Sequence, residues 1–203
     1  QLEVAEREAL FTLYQSTSGD TSWITATNWA DNTTHHCDWY GIKCLDSQHV
    51  SSLRLPSNNL VSAEETISLS FSAFSFLSVL QLSNNTNLVF TIDSLPPTLV
   101  FVQLSSTSLS GPLPPSFASL ENLFSLDLSS TKITDPFPQS LASKCTRELS
   151  GYAEVDCNFH DTPLELYPCG PSSIEGDRLG ICRANYGEMN WELLIVYLVL
   201  GVQ

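Results

Sequence analysis

Charge is scarce in this 203-residue chain: 15% of residues are charged, and 8 basic side chains face 22 acidic ones. The formal charge of −14 repels a phosphate backbone, which argues against nucleic acid as a partner. Long apolar runs are missing as well. The longest, Leu193 through Leu200, falls short of the roughly 20 residues that a membrane helix needs. Cysteine is absent between residues 45 and 144, and neither a CxxC pair nor a His-x3-His spacing offers a zinc site. No GxSxG elbow, HExxH, P-loop or GxGxxG segment occurs. Acidic residues such as Asp127 and Glu121 read as solvated surface charges, because a glycosidase needs two carboxylates held together in a cleft. The chain is therefore expected to work without a cofactor and without catalysing a reaction.

What is present points to an extracellular or cell-surface protein. Hydrophobic residues make up 42% of the chain, enough for an ordered core, and the length suits one domain with a tail. Six cysteines cluster at its two ends: Cys37 and Cys44, then Cys145, Cys157, Cys169 and Cys182. An even count in that arrangement suggests disulfide-stapled caps, and disulfides persist in oxidising compartments. Two acceptor sequons for N-linked glycans, at Asn32 and Asn84, agree with secretion, and a start at Gln1 without an apolar leader is expected after removal of a signal peptide or in a trimmed chain.

The Cys-free middle is repetitive. The segments VSSLRLPSNNL from Val50, LSVLQLSNNTN from Leu77, LVFVQLSSTSL from Leu99 and LFSLDLSSTKI from Leu123 all follow LxxLxLxxNxL. Their inward pairs are Leu53/Leu55, Leu80/Leu82, Val102/Leu104 and Leu126/Leu128, offset by 27, 22 and 24 residues. Each xLxL portion is a short strand with leucines on one face and the x residues on the other. One unit cannot bury its own apolar face, so the units must stack into a parallel sheet. Asn58 and Asn85 hold the N position, where a side-chain amide can satisfy backbone groups as the chain leaves the strand; Thr107 and Thr131 replace them later.

This pattern, with SLSGPLPPSFASLENL after the third strand, resembles plant-type extracellular leucine-rich repeats. The stretch Cys37-Asp38-Trp39-Tyr40-Gly41-Ile42-Lys43-Cys44 resembles the CxWxGVxC signature of their N-terminal caps, and the preceding ALFTLYQSTSGDTSW, with Asn28-Trp29, is similar to caps of protist, algal and bacterial secreted repeat proteins. The resemblance implies an α/β fold: a short leucine-rich-repeat solenoid with a parallel β-sheet on its concave face. It also implies a helical, disulfide-linked N-terminal cap, with Cys37 paired to Cys44, and a Cys-rich C-terminal cap. Residues 1–49 are read as the first cap, 50–141 as four repeats, 142–190 as the second cap and 191–203 as an apolar tail. In residues 1–15, Leu2, Ala5, Ala9, Leu10, Leu13 and Tyr14 follow helical spacing, with Glu3, Glu6 and Glu8 favouring the helix start. The four later cysteines allow three pairings, of which sequential pairing is the expectation.

Candidate contacts lie on the outward strand positions: Ser52, Arg54, Val79, Gln81, Phe101, Gln103, Ser125 and Asp127. Val79 and Phe101 stand out as apolar residues on a polar face, which suggests a contact patch. Leu193, Ile195 and Tyr197 represent the tail, which is read as a strand on the protein's own cap, a strand given to a neighbouring chain, or the remnant of an anchor. A glycan on Asn84 would screen part of the concave face. His35-His36-Cys37-Asp38 is the densest group of potential ligands, and it reads as a solvent-exposed cap loop, not a metal site. The first functional expectation is a structural or adhesive component of an extracellular assembly, bound to other proteins, to copies of itself, or to a filament or matrix protein. The alternative is a recognition ectodomain or an inhibitor of a secreted hydrolase.

Overall fold

The computed structural model describes residues 2–145 and 155–164. Helix α1 (Leu2–Ser16) buries Glu6, Leu10, Leu13 and Tyr14, the i, i+4, i+7, i+8 stripe of one helix side. The periodicity expected from the sequence is thereby corrected: Ala5 is exposed, Ala9 is half-buried, and the Glu6 carboxylate lies inside instead of at the helix dipole. Thr17 closes the helix by donating its hydroxyl to the Leu13 carbonyl at 2.6 Å, and Ser18 turns left-handed. The short helix α2 (Gly19–Ser22) then packs so closely that a β-carbon on Gly19 would enter the Tyr14 ring. Tyr14, Trp23, Trp29 and Trp39 form a chain of ring contacts beneath these helices, and the Arg7 guanidinium lies over Trp39.

Among the described residues ten strands follow: β1 (Ile42–Leu45), β2 (His49–Arg54), β3 (Ile67–Ser70), β4 (Val79–Gln81), β5 (Val89–Ser94), β6 (Phe101–Gln103), β7 (Ser108–Gly111), β8 (Ser125–Asp127), β9 (Lys132–Ile133) and β10 (Asp156–Asn158). Helix α3 (Gln139–Cys145) precedes the last of them. Strands β1-β2-β4-β6-β8-β10 make one sheet and β3-β5-β7-β9 a second. Successive turns of the solenoid thus add a strand to each. All pairings are parallel except β1 with β2.

The larger sheet keeps the expected register: Leu53, Leu80, Val102 and Leu126 align across four strands and are fully buried. It is two strands wider than the repeats alone predict. Strand β1 comes from the N-terminal cap, where Cys37 is bridged to Cys44, and β10 comes from the segment read as the second cap. There Cys157 takes the inward position beside Leu126 and is bridged to Cys145. Cys169, Cys182 and the tail lie outside the described residues.

The second sheet was not anticipated. Its strands occupy the stretches between the repeat motifs, where β3 alternates buried and exposed residues and β5 points Phe90 and Ile92 inward. The leucine core lies between the two sheets, and Phe71, Phe74, Phe90 and Phe117 fill it from the far side. Deep burial of these rings, each contributing about 1.5–3 kcal/mol, gives the convex side its share of the stabilisation.

Side-chain amides tie one turn to the next. Asn85 Oδ1 accepts from the amides of Asn58 (3.1 Å) and Leu60 (3.0 Å), while its Nδ2 donates to the carbonyls of Leu55 (2.8 Å) and Leu82 (2.7 Å). Asn58 does the same toward the cap, accepting from the Thr25 amide and donating to the Thr25 carbonyl. Thr107 and Thr131 stay within their own turns: each donates its hydroxyl, to the Leu104 and Leu128 carbonyls, and Thr107 also meets the Leu109 amide at 3.4 Å.

Candidate binding surface

Alternation along each strand of the larger sheet sends two rows of side chains away from the leucine core. One row runs Ser52, Val79, Phe101, Ser125 and Asp156; the other runs Arg54, Gln81, Gln103, Asp127 and Asn158. The second row is polar from end to end, and all five of its side chains are half-buried. Such a row presents amide and charged groups at the strand spacing of about 4.8 Å. Its residues are shielded enough for hydrogen bonds to count and open enough to be reached. One strand before its far end, Asp127 Oδ1 accepts from the Ser129 amide (3.1 Å) and hydroxyl (2.7 Å), which holds the carboxylate in place.

The first row differs from its sequence reading. Val79 and Phe101 do leave the leucine core, yet they are only 5% and 4% exposed. Parallel register sets them side by side, Val100 joins them, and Phe124 packs its ring edge-on to Phe101. Adjacent apolar side chains on one sheet face cover each other, so the pair forms a second small core in place of an open patch. An apolar surface of this sheet does remain open at the edge where the chain enters the strands. There Leu45, Phe76, Thr98, Val100, Glu121 and Phe124 line a groove of about 530 Å³, and Phe76 is 41% exposed. Asn84 is exposed at the opposite, exit edge, and Asn32 is exposed in the cap.

The histidines of the cap loop follow their surroundings. His35 stacks on His36, accepts from the Cys37 amide through Nδ1 and donates Nε2–H to Glu3 at 2.8 Å. The Cys37 sulfur is taken by the disulfide, which removes it from the three-residue ligand group. His36 is buried, contrary to its expected place on an open loop, with Nε2–H donated to the Gln48 carbonyl. Glu6 lies 3.8 Å from His36 Nε2 and 3.9 Å from His49 Nδ1, and it accepts the Val50 amide at 2.9 Å. That bond anchors α1 to the start of β2.

Burial pushes the Glu6 carboxyl above its ordinary value near 4.5, against the Val50 hydrogen bond and His49, and with help from Asp46 and Glu3. Burial and then His35 hold the His36 imidazole below 6.5. The two groups act on stability in opposite directions. Glu6 contributes fully below about pH 4.5, and its contribution is lost as pH rises through its raised folded value; His36 contributes above about pH 6.5 and loses its share as pH falls through its lowered one. Glu6→Gln retains a carbonyl acceptor for the Val50 amide without a charge. Its unfolding free energy relative to the parent chain, from urea curves between pH 4 and 7, should rise with pH, and a constant difference would refute the assignment.

Residues 5–45 match the leucine rich repeat N-terminal domain. The chain is similar in fold to a plant ice-binding protein, at 22% identity and a TM-score of 0.58, over 78% of this chain and 48% of that one. It is also similar to the BIR2 ectodomain from Arabidopsis thaliana, at 20% identity and a TM-score of 0.53, over 76% of this chain and 81% of that one. For the leucine-rich-repeat ectodomain of the receptor kinase SOBIR1 from Arabidopsis thaliana the identity is 16% and the TM-score 0.50, over 79% and 95% of the two chains. The chain thus spans about half the length of the ice-binding protein and most of the two ectodomains. No curated protein matches it in sequence. At these identities the likeness speaks for the fold, and a leucine-rich-repeat solenoid with a disulfide-linked N-terminal cap is that fold.

Proposed function

We propose that this leucine-rich-repeat solenoid is an extracellular binding module that engages a protein or peptide partner through the polar row of its larger sheet. The observation that carries the reading is the in-register row Arg54, Gln81, Gln103, Asp127 and Asn158, half-buried throughout and backed by the buried layer of Leu53, Leu80, Val102, Leu126 and Cys157. An extended chain crossing such a face meets a donor or acceptor at every strand, while the rigid sheet behind it lowers the ordering cost of association. The Cys37–Cys44 and Cys145–Cys157 disulfides support an oxidising, extracellular setting, and Asn32 and Asn84 would carry N-linked glycans there. A glycan at Asn84 would stand at the exit edge beside the row.

The entry-edge groove favours a second reading, the structural or adhesive one. In it, the apolar run Leu193–Leu200 of a neighbouring copy seats against Phe76 and Leu45 and builds an assembly, with Leu193, Ile195 and Tyr197 as its contacts. One comparison separates the two. The parent chain, a Gln81→Ala/Gln103→Ala variant and a chain ending at Asn190 are cross-linked to their neighbours in native extracellular material. Binding through the row predicts that the double variant weakens its cross-linked partner about tenfold, from two lost hydrogen bonds, while the shortened chain keeps it. The reverse pattern would overturn the row and favour assembly through the tail.

A further inference from the structure

The cationic end of the polar row has a chemistry of its own. Strands β1 and β2 pair antiparallel with Lys43 directly opposite Ser52, so the two share a face, and Arg54 lies two residues further along the same face. The chain carries only 8 basic residues against 22 acidic ones, yet two of the 8 stand together here. Ser52 is 6% exposed, and its hydroxyl has no hydrogen-bond partner; Arg54 Nε is buried in the same condition. Buried donors left unpaired cost about 1–3 kcal/mol each, so a ligand that supplies acceptors there regains that loss. From this end the row passes through two neutral amides, Gln81 and Gln103, to the anchored carboxylate of Asp127.

We infer that Ser52 and Arg54, on the face they share with Lys43, form a carboxylate-binding site that fixes the polarity of a bound peptide. Its acidic side chain or C-terminal carboxylate lies at β2, and its backbone amides run toward β8. A planar group that only accepts matches the guanidinium fork, where Nε–H and one Nη–H donate in parallel, and the Ser52 hydroxyl lies one pleat away as a third donor. The glutamine side chains beyond it offer both donors and acceptors, which suits peptide groups better than a second charge. This assignment rests on the reading of the larger sheet as the binding face.

The test follows the Arg54 Nε–H resonance by NMR during titration with three peptides: Ac-Glu-Glu-Glu-NH2, Ac-Ser-Ser-Ser-OH and Ac-Gln-Gln-Gln-NH2. The site predicts saturable shifts with the first, the second or both, which tells side-chain from terminal recognition, and binding about tenfold or more tighter than the glutamine peptide. Arg54→Gln and Ser52→Ala, checked for an unchanged urea midpoint, should each weaken that binding, followed through the Gln81 side-chain amide; Lys132→Gln, on the second sheet, should leave it unaltered. Equal affinity for the glutamine peptide, or carboxylate binding that survives Arg54→Gln, overturns the site. If the carboxylate peptides fail while the Gln81/Gln103 double variant still loses its native partner, the binding face stands and only the role of its cationic end falls.

Discussion

Replacing Asn85 with leucine is expected to destabilise the fold by about 4 kcal/mol, a large share of the roughly 5–15 kcal/mol that holds a domain together. Asn85 is 1% exposed, and its amide serves five backbone groups from two turns: the Asn58 and Leu60 amides and the Leu55, Leu82 and Ser83 carbonyls. Leucine has the same branched side-chain skeleton of four heavy atoms but offers none of them a partner, and an orphaned buried group costs about 1–3 kcal/mol. These losses do not add fully, because the turn relaxes toward water. Thr107→Val is the internal comparison. Thr107 serves the Leu104 carbonyl at 2.7 Å and meets the Leu109 amide at only 3.4 Å, both within its own turn, so that change should cost about 1 kcal/mol. Urea unfolding of both variants checks the asymmetry. Equal losses would mean that the asparagine does not couple the turns.

Gly41→Ala should cost about 3 kcal/mol and disturb the binding face together with the cap. Gly41 holds φ at +80°, where a β-carbon is strained by about 1–2 kcal/mol, and that carbon would also stand 2.2 Å from the Arg54 carbonyl and 2.9 Å from Leu55 Cδ2. Overpacking of backbone adds about 1–3 kcal/mol, because a carbonyl cannot move aside as a flexible side-chain end can. The Arg54 amide donates to the Gly41 carbonyl at 2.7 Å, so relief of the clash displaces Arg54 itself. The variant should therefore show a lower urea midpoint and a shifted Arg54 Nε–H resonance in the absence of any ligand. A lower midpoint with an unmoved resonance would place the damage in the cap loop alone. The same contact explains why the cap motif carries glycine between Tyr40 and Ile42.

Several features of this molecule are written locally. Leu53/Leu55 and their three counterparts recur because each turn must bury the same layer, so their inward positions and the parallel register follow from spacing alone. Asn58 and Asn85 announced a backbone-satisfying role by their place after each strand, although their reach into the preceding turn or cap needed the fold to be seen. The second sheet left a fainter trace. The alternation in Ile67-Ser68-Leu69-Ser70 and Val89-Phe90-Thr91-Ile92 was legible, but it lies outside the repeat motif and spans few residues. Cys157 hid a fifth parallel strand because cysteine stands where the other turns have leucine or valine.

The candidate site divides along the same line. Arg54, Gln81, Gln103 and Asp127 point outward by strand alternation, which successive residues determine among themselves, and the sequence alone therefore located the row. How far each outward side chain meets water depends on neighbours from distant turns. Tertiary packing decided that Val79 and Phe101 close over each other beneath Phe124, and that Glu6 leaves the helix surface to bind the Val50 amide 44 residues away. It also decided that Lys43 of the cap stands opposite Ser52, because an antiparallel pairing brings β1 onto the sheet's edge. Periodicity specifies which way a side chain points, whereas coverage and electrostatics are set by whatever long-range contact arrives in front of it.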